Sequence, residues 1–255
     1  MKGVITMNPE HVLATRSNKT VYRDNDKAVK VFDTTYPKSA VLNEALNHAR
    51  VEETGLRIPK IQSVSNIDGK WCINMEYISG QTMEQQLLDH FEKSSTLLEQ
   101  FVSLQIEMHT KTAPLLNKLK DKLNTKIQQI AELSEATKYE ILTRLDSMPK
   151  HTKLCHGDFT PSNIIMNDSG NYILDWSHAT QGNASADTAI TYLKLALQNQ
   201  DLADDYLNLF CSKSSTDLKY VQQWFPIVAA SRLATANEAE KPFLQRWLDF
   251  IDYQG

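Results

Sequence analysis

The sequence is short of cysteine, of long apolar runs and of basic charge, and each shortage removes a class of protein. Its three cysteines, Cys72, Cys155 and Cys211, are odd in number and far apart. They make no disulfide framework and fit a reducing compartment, the cytoplasm. Cys155 lies in an apolar run and reads as a packed thiol rather than a nucleophile. No segment approaches the roughly 18 apolar residues of a membrane helix, and the first residues hold no apolar run of signal-peptide length, so no membrane is expected as a partner. The net charge of −4 leaves no basic footprint, which argues against nucleic acid. His11, His48, His90, His151 and His178 follow no metal-ligand spacing. Internal repeats, low-complexity tracts and long linkers are also missing. What remains is a chain of 255 residues, 41% hydrophobic, able to bury a sizeable core as one domain of two lobes or as two small domains.

The chemistry is concentrated in one stretch. His156-Gly-Asp-Phe-Thr-Pro-Ser-Asn163 is followed by Tyr172-Ile-Leu-Asp175. An Asp, an Asn five residues later and a second Asp twelve residues after that form the set that phosphoryl transfer needs. Asp158 is placed to take the proton of an attacking hydroxyl. Asn163 and Asp175 supply hard oxygens for Mg²⁺, which screens a triphosphate. The apolar runs Ile164–Met166 and Tyr172–Leu174 flank the turn formers Asn167-Asp168-Ser169-Gly170, which predicts a β-hairpin. Such a hairpin brings Asn163 and Asp175 to its open end, and Pro161 stiffens the loop before it.

His-Gly-Asp-x-x-x-x-Asn followed by Ile-Leu-Asp-Trp resembles the aminoglycoside phosphotransferase and choline kinase family. That family is a small-molecule branch of the protein-kinase-like fold. The resemblance is specific over 154–187 and weaker before residue 80 and after 190. It implies an α+β fold of two lobes: a small β-sheet lobe with one main helix over 1–79, and a larger, mostly helical lobe over 80–255. It further implies ATP as donor, with GTP the second candidate.

The rest of the chain reads in the same order. Short β-rich segments lie at His11–Thr15, Thr20–Arg23 and Lys27–Phe32. A helix over Pro37 to about Glu53 carries Val41, Leu42, Ala45, Leu46 and Ala49 on one face, and Gly55 and Pro59 end it. A strand pair follows around Asp68-Gly69. Beyond Gly80 an apolar stripe runs from Leu97 to Met108, and a second takes Leu116, Leu119, Leu123, Ile127 and Ile130. The lysines of Lys118–Lys126 read as a solvated helix face. Further helices are expected over 185–199, 201–211, 217–238 and 242–252.

On the nucleotide side, Lys30 stands mid-strand as a point charge for phosphate oxygens, and it needs a carboxylate to hold it. Glu44, mid-helix, is the first candidate, with Glu52 and Glu53 as alternatives. Met75–Gly80 matches the family's adenine-reading hinge, with Glu76 and Ile78 offering backbone contacts. The phosphate loop departs from the family: Arg16-Ser-Asn-Lys-Thr20 contains no glycine. Ser17 is expected to offer a hydroxyl and Asn18 a left-handed turn. By the resemblance, Asp187 accepts amides of the catalytic loop, while His109 and His156 are structural.

Only eleven residues separate Asp175 from Asp187, too few for a peptide-docking segment, so the acceptor is a small molecule: an aminoglycoside, an amino alcohol, an amino acid or a sugar. Asp201, Asp204, Asp205, Glu238 and Glu240 are candidates to line a cationic acceptor's site. Trp176, Trp224, Phe225 and Trp247 are candidates to box a quaternary ammonium. Both sets read more readily as exposed and core residues, respectively. The alternative function is a nucleotide-binding pseudokinase acting through partners. The sequence is silent on oligomeric state.

Overall fold

The computed structural model describes residues 12–90 and 94–249. His11 of the first expected strand and residues 250–252 of the last expected helix lie outside them. The strands are β1 (Val12–Arg16), β2 (Lys19–Asp24), β3 (Lys27–Phe32), β4 (Ile61–Ile67), β5 (Lys70–Glu76), β6 (Gln81–Thr82), β7 (Lys153–Cys155), β8 (Ile164–Asn167), β9 (Gly170–Ile173) and β10 (Thr180–Gly182). The helices are α1 (Lys38–Glu52), α2 (Met83–Asp89), α3 (Ser94–His109), α4 (Leu119–Gln128), α5 (Glu135–Ser147), α6 (Ala184–Ala196), α7 (Gln200–Ser214), α8 (Leu218–Gln222), α9 (Phe225–Leu233) and α10 (Lys241–Asp249). Among the described residues no helix is long and apolar enough to cross a membrane.

Contacts divide the chain into two units. Residues up to Gln86 group with Ser162–His178, and Leu87–Pro161 groups with the residues from Ala179 onward. The expected β-hairpin therefore falls with the first unit. The pairing explains this: Gln81 and Thr82 of β6 lie opposite Met166 and Ile165 of β8, which in turn pairs with β9.

The first unit is built on an antiparallel sheet of order β1-β2-β3-β5-β4. Its central strand β3 is buried from Ala28 to Phe32. The β4–β5 hairpin turns at Asp68-Gly69, both left-handed (φ 49° and 81°), the backbone that a tight two-residue turn requires. Helix α1 starts after Pro37 and stops before Gly55 (φ 76°). Its buried face differs from the expected one. Val41, Glu44, Ala45, His48 and Val51 point inward, while Leu42 and Leu46 are exposed. The helical period is kept, but three buried positions, Glu44, Asn47 and His48, carry polar groups, so counting apolar residues alone rotates the face.

In the second unit the α3 stripe of Leu97, Phe101, Val102 and Met108 is buried. The stripe Leu119, Leu123 and Ile127 of α4 is buried too, with Leu116 and Ile130 buried just beyond its ends. Helix α5, capped by the Ser134 side chain on the Thr137 amide, occupies a segment that periodicity leaves unassigned. The helix expected over 217–238 is two helices. Pro226 in the first turn of α9 has no N–H to give back to α8, so a new helix begins there.

Candidate functional site

The first unit gathers most of the expected nucleotide-binding groups around one cavity of about 290 Å³. Lys30 comes from the middle of β3, opposite Val21 of β2 and Ile73 of β5. Its Nζ donates to Glu44 Oε1 at 2.5 Å and to Asp175 Oδ1 at 3.2 Å. Glu44 is buried on α1, and of the three carboxylates considered it is the one that holds this lysine. Glu52 instead accepts the amide of Ile61.

Asn163 and Asp175 both line this cavity. Asn163 ends the short turn Pro161–Asn163, and its carbonyl accepts the Leu174 amide at 2.8 Å. One more step along the hairpin brings Asp175. It is held at φ 57°, a left-handed backbone that a non-glycine residue occupies only under constraint. Burial alone would push the Asp175 carboxyl up. The Lys30 and Lys19 ammonium groups outweigh burial and hold the carboxyl well below the usual range. Burial would likewise lower Lys30, yet Asp175 and Glu44 hold it above the ordinary lysine value. The pair is ionised at neutral pH. An ionised Asp175 and an Asn163 amide lining one cavity are donors that fit a hard cation keeping phosphate and water ligands. Among the described residues no group of three His, Cys, Asp or Glu forms a self-sufficient metal cage.

Sequence reasoning missed Lys19. Its Nζ lies 3.4 Å from both Glu44 carboxylate oxygens and 3.4 Å from Asp175 Oδ2. Two ammonium groups and two carboxylates thus face one another. The signal was available in the strand period. Lys19 and Val21 share a face of β2, and Val21 pairs with Lys30, so both lysines stand on one side of the sheet. Ser17 and Asn18 do not line the cavity, and Asn18 is not left-handed, contrary to expectation. They form the turn between β1 and β2, where the Asn18 carbonyl accepts the Asp33 amide. The residue after the turn, not the turn itself, faces the cavity.

Glu76 and Ile78 also line the cavity, together with the apolar Leu13, Val21, Met75 and Leu174. The Glu76 amide is bound to the Lys60 carbonyl and the Tyr77 amide to the Asp26 carbonyl. The chain turns away at Gly80 (φ 146°), packed so closely on the Met166 carbonyl that a side chain there would collide with it.

Asp158 belongs to the second unit. Its amide donates to His156 Nδ1 at 3.1 Å, and its carboxylate forms a close ion pair with Lys194 of α6. Asp187, fully buried in the first turn of α6, accepts the amides of His156 (3.1 Å) and Gly157 (2.7 Å) and the Nε2–H of His109 (3.0 Å). Burial would raise the Asp187 carboxyl, but these donors hold it below its ordinary value. The loop that presents Asp158 is therefore pinned at its backbone by one ionised carboxylate. Trp176 and Trp224 are fully buried, as core residues are, and Phe225 stacks on Tyr192.

No curated protein matches this chain in sequence. Solved structures do match its fold. An aminoglycoside phosphotransferase, APH(4)-Ia, has a TM-score of 0.71 at 11% identity, covering 96% of this chain and 93% of that one. The amicoumacin kinase hAmiN has a TM-score of 0.62 at 13% identity, covering 97% and 90%. A choline/ethanolamine kinase family protein from Mesorhizobium loti has a TM-score of 0.61 at 13% identity, covering 93% and 86%. At such identities the likeness shows the fold: a small antiparallel sheet lobe and a helical lobe. Sequence carries the rest, because a family model matches residues 11–216, most of the chain, and on that match the chain belongs to the phosphotransferase enzyme family.

Proposed function

We propose that this phosphotransferase transfers the γ-phosphoryl group of ATP to a hydroxyl of a small molecule, with Mg²⁺ as the metal. The observation that carries the reading is the pair of lysines and carboxylates around one cavity. Lys30 and Lys19 are two cations for phosphate oxygens, and Asp175 stays ionised for a metal. The apolar lining of the cavity, which includes Met75 and Ile78 of the Met75–Gly80 hinge, suits a purine, and backbone groups of Glu76 and Ile78 suit its edge. Solved relatives in fold support this assignment. APH(4)-Ia was crystallised with ADP and hygromycin B, and hAmiN with AMP-PNP, Ca²⁺ and Ami.

Asn163 and Asp175 would hold the Mg²⁺, which when bound neutralises charge developing on the phosphates. The chain's own residues do the remainder. Lys30, fixed by Glu44, orients the phosphates. Lys19 supplies the charge that a glycine-free loop cannot offer through close backbone approach. Asp158 positions the acceptor hydroxyl and takes its proton as the new O–P bond forms and ADP departs. Asp187 and His156 keep Asp158 in place.

Binding of Mg–AMP-PNP, read as a shift in melting temperature, tests the nucleotide half. At a hundredfold excess over Kd a ligand adds about 2.7 kcal/mol. For a chain of this size that is a rise of roughly 5–10 °C. The rise is expected in the wild type and, somewhat reduced, in Lys30→Ala; no shift in the wild type contradicts the reading.

A further inference from the structure

We propose that Lys19 competes with the metal for Asp175: it covers the carboxylate oxygen that Mg²⁺ would take, and yields that oxygen when a nucleotide phosphate offers it another partner. This rests on the kinase reading and assigns to Lys19 the control of when a metal can enter the site.

The four charges of the first unit's cavity are shared unequally. Lys30 Nζ is bonded to Glu44 Oε1 at 2.5 Å and to Asp175 Oδ1 at 3.2 Å. Lys19 Nζ stands 3.4 Å from both Glu44 oxygens and 3.4 Å from Asp175 Oδ2. Each oxygen of Asp175 therefore has its own ammonium. The formal charges of the four groups sum to zero. The other charged groups lining the cavity, Arg16 and Glu76, cancel as well, and each is bound to backbone, at the Thr15 carbonyl and the Lys60 amide. Such a balanced site favours a divalent cation only once an ammonium group moves.

Lys19 is the one placed to move. Its 3.4 Å contacts are longer than the roughly 2.7–2.9 Å of a well-made N⁺–H···O⁻ bond, whereas Glu44 grips Lys30 closely. It is the first residue of β2, directly after the turn at Ser17 and Asn18, and its ammonium rides on a flexible four-carbon stem. Lys30 keeps Oδ1, so Oδ2 is the oxygen that a metal can win. An ammonium and a divalent cation on one carboxylate oxygen repel each other at short range. The Ser177 hydrogen bond to Asp175 brings no charge and does not compete in this way. A triphosphate shifts the balance, because it gives Lys19 anionic oxygens of its own and leaves Oδ2 to the metal. Removing the Lys19 charge does the same, since Lys30, Glu44 and Asp175 alone carry one net negative charge. Metal and nucleotide are thus coupled through this residue, and the coupling is reciprocal.

The test reads metal binding directly. Mn²⁺ is titrated into the protein without nucleotide, and the free ion is counted by electron paramagnetic resonance. Lys19→Met, which keeps most of the stem and loses the charge, should bind Mn²⁺ about fivefold or more tighter than the wild type. Lys19→Gln should gain in the same direction, and Lys19→Met with Asp175→Asn should lose the gain. AMP-PNP should tighten Mn²⁺ binding less in Lys19→Met than in the wild type, because the variant no longer has a competitor to remove. A residue that merely supports the fold would weaken metal binding when replaced. Mn²⁺ affinity unchanged or lowered in both single variants overturns the inference, and so does a gain that survives Asp175→Asn. Failure of the kinase reading itself looks different, because Mg–AMP-PNP would then leave the melting temperature of the wild type unmoved.

Discussion

Lys30 and Lys19 reach the same two carboxylates but differ in how firmly they are held. Lys30 is buried and bonded to Glu44 at 2.5 Å, whereas Lys19 contacts Glu44 and Asp175 only at 3.4 Å. A fixed cation contributes more to a transition state than a loosely held one, because no reorganisation is needed as charge develops. Lys30→Ala is therefore expected to lower kcat by about 10²–10³-fold. Lys19→Ala should act mainly on the KM for ATP, by about tenfold, the loss of one charge-assisted contact. Steady-state kinetics with varied ATP separates the two, and equal effects on kcat would contradict the distinction. The same square governs stability against pH. Asp175, held below its ordinary value, contributes stability that is present above the unfolded value and lost as pH falls through the folded one. Lys30, held above its ordinary value, contributes stability that is present below the unfolded value near 10.5 and lost as pH rises through the folded one. In melting scans, Asp175→Asn should flatten the acid limb below about pH 4. An unchanged acid limb would mean that Asp175 is not the titrating group.

Single elements decide where these residues stand. Gly80 carries the chain from the hinge into β6 with φ at 146° and the Met166 carbonyl against it. Gly80→Ala must move either the hinge or the β6–β8 pairing. It is expected to cost about 1–3 kcal/mol of stability and to weaken Mg–AMP-PNP binding, measurable by melting with and without nucleotide. A variant with unchanged melting and binding would show that neither element is set by this contact. The elements also show what was legible in the sequence. The β8–β9 hairpin was legible because its turn residues and apolar runs alternate cleanly, and from it followed Asn163 and Asp175 at one cavity. The face of α1 was not. Glu44 and His48 occupy inward positions for their polar partners, Lys30 and the Pro59 carbonyl, and a count of apolar residues cannot see them. Helix α4 misled in the opposite sense. Its lysines look like solvent-facing charge in one dimension, but α9 packs against the helix, and Lys122 and Lys126 are half-buried. Lys19 lay within reach, since alternation along β2 places it beside Lys30, but the missing glycine drew attention to Ser17 and Asn18.

At the scale of the whole molecule, the order of strands, helix, hairpin and helices was readable because each segment keeps its own period and its own stop signals. The acceptor was not, because the Asp158, Asn163 and Asp175 motif serves the phosphoryl group and is the same whichever hydroxyl receives it. The family match and the four charged groups of the first unit agree on the donor half of the reaction. Asp158, whose loop is fixed through His156 and Asp187, is proposed to carry the acceptor half. The most direct measurement is ADP release from Mg-ATP over a panel of hydroxylated small molecules, for the wild type and Asp158→Asn. The account predicts turnover on a subset of the panel, slowed about 10²–10⁴-fold in the variant while nucleotide binding is kept. Turnover that survives Asp158→Asn at the wild-type rate would contradict it.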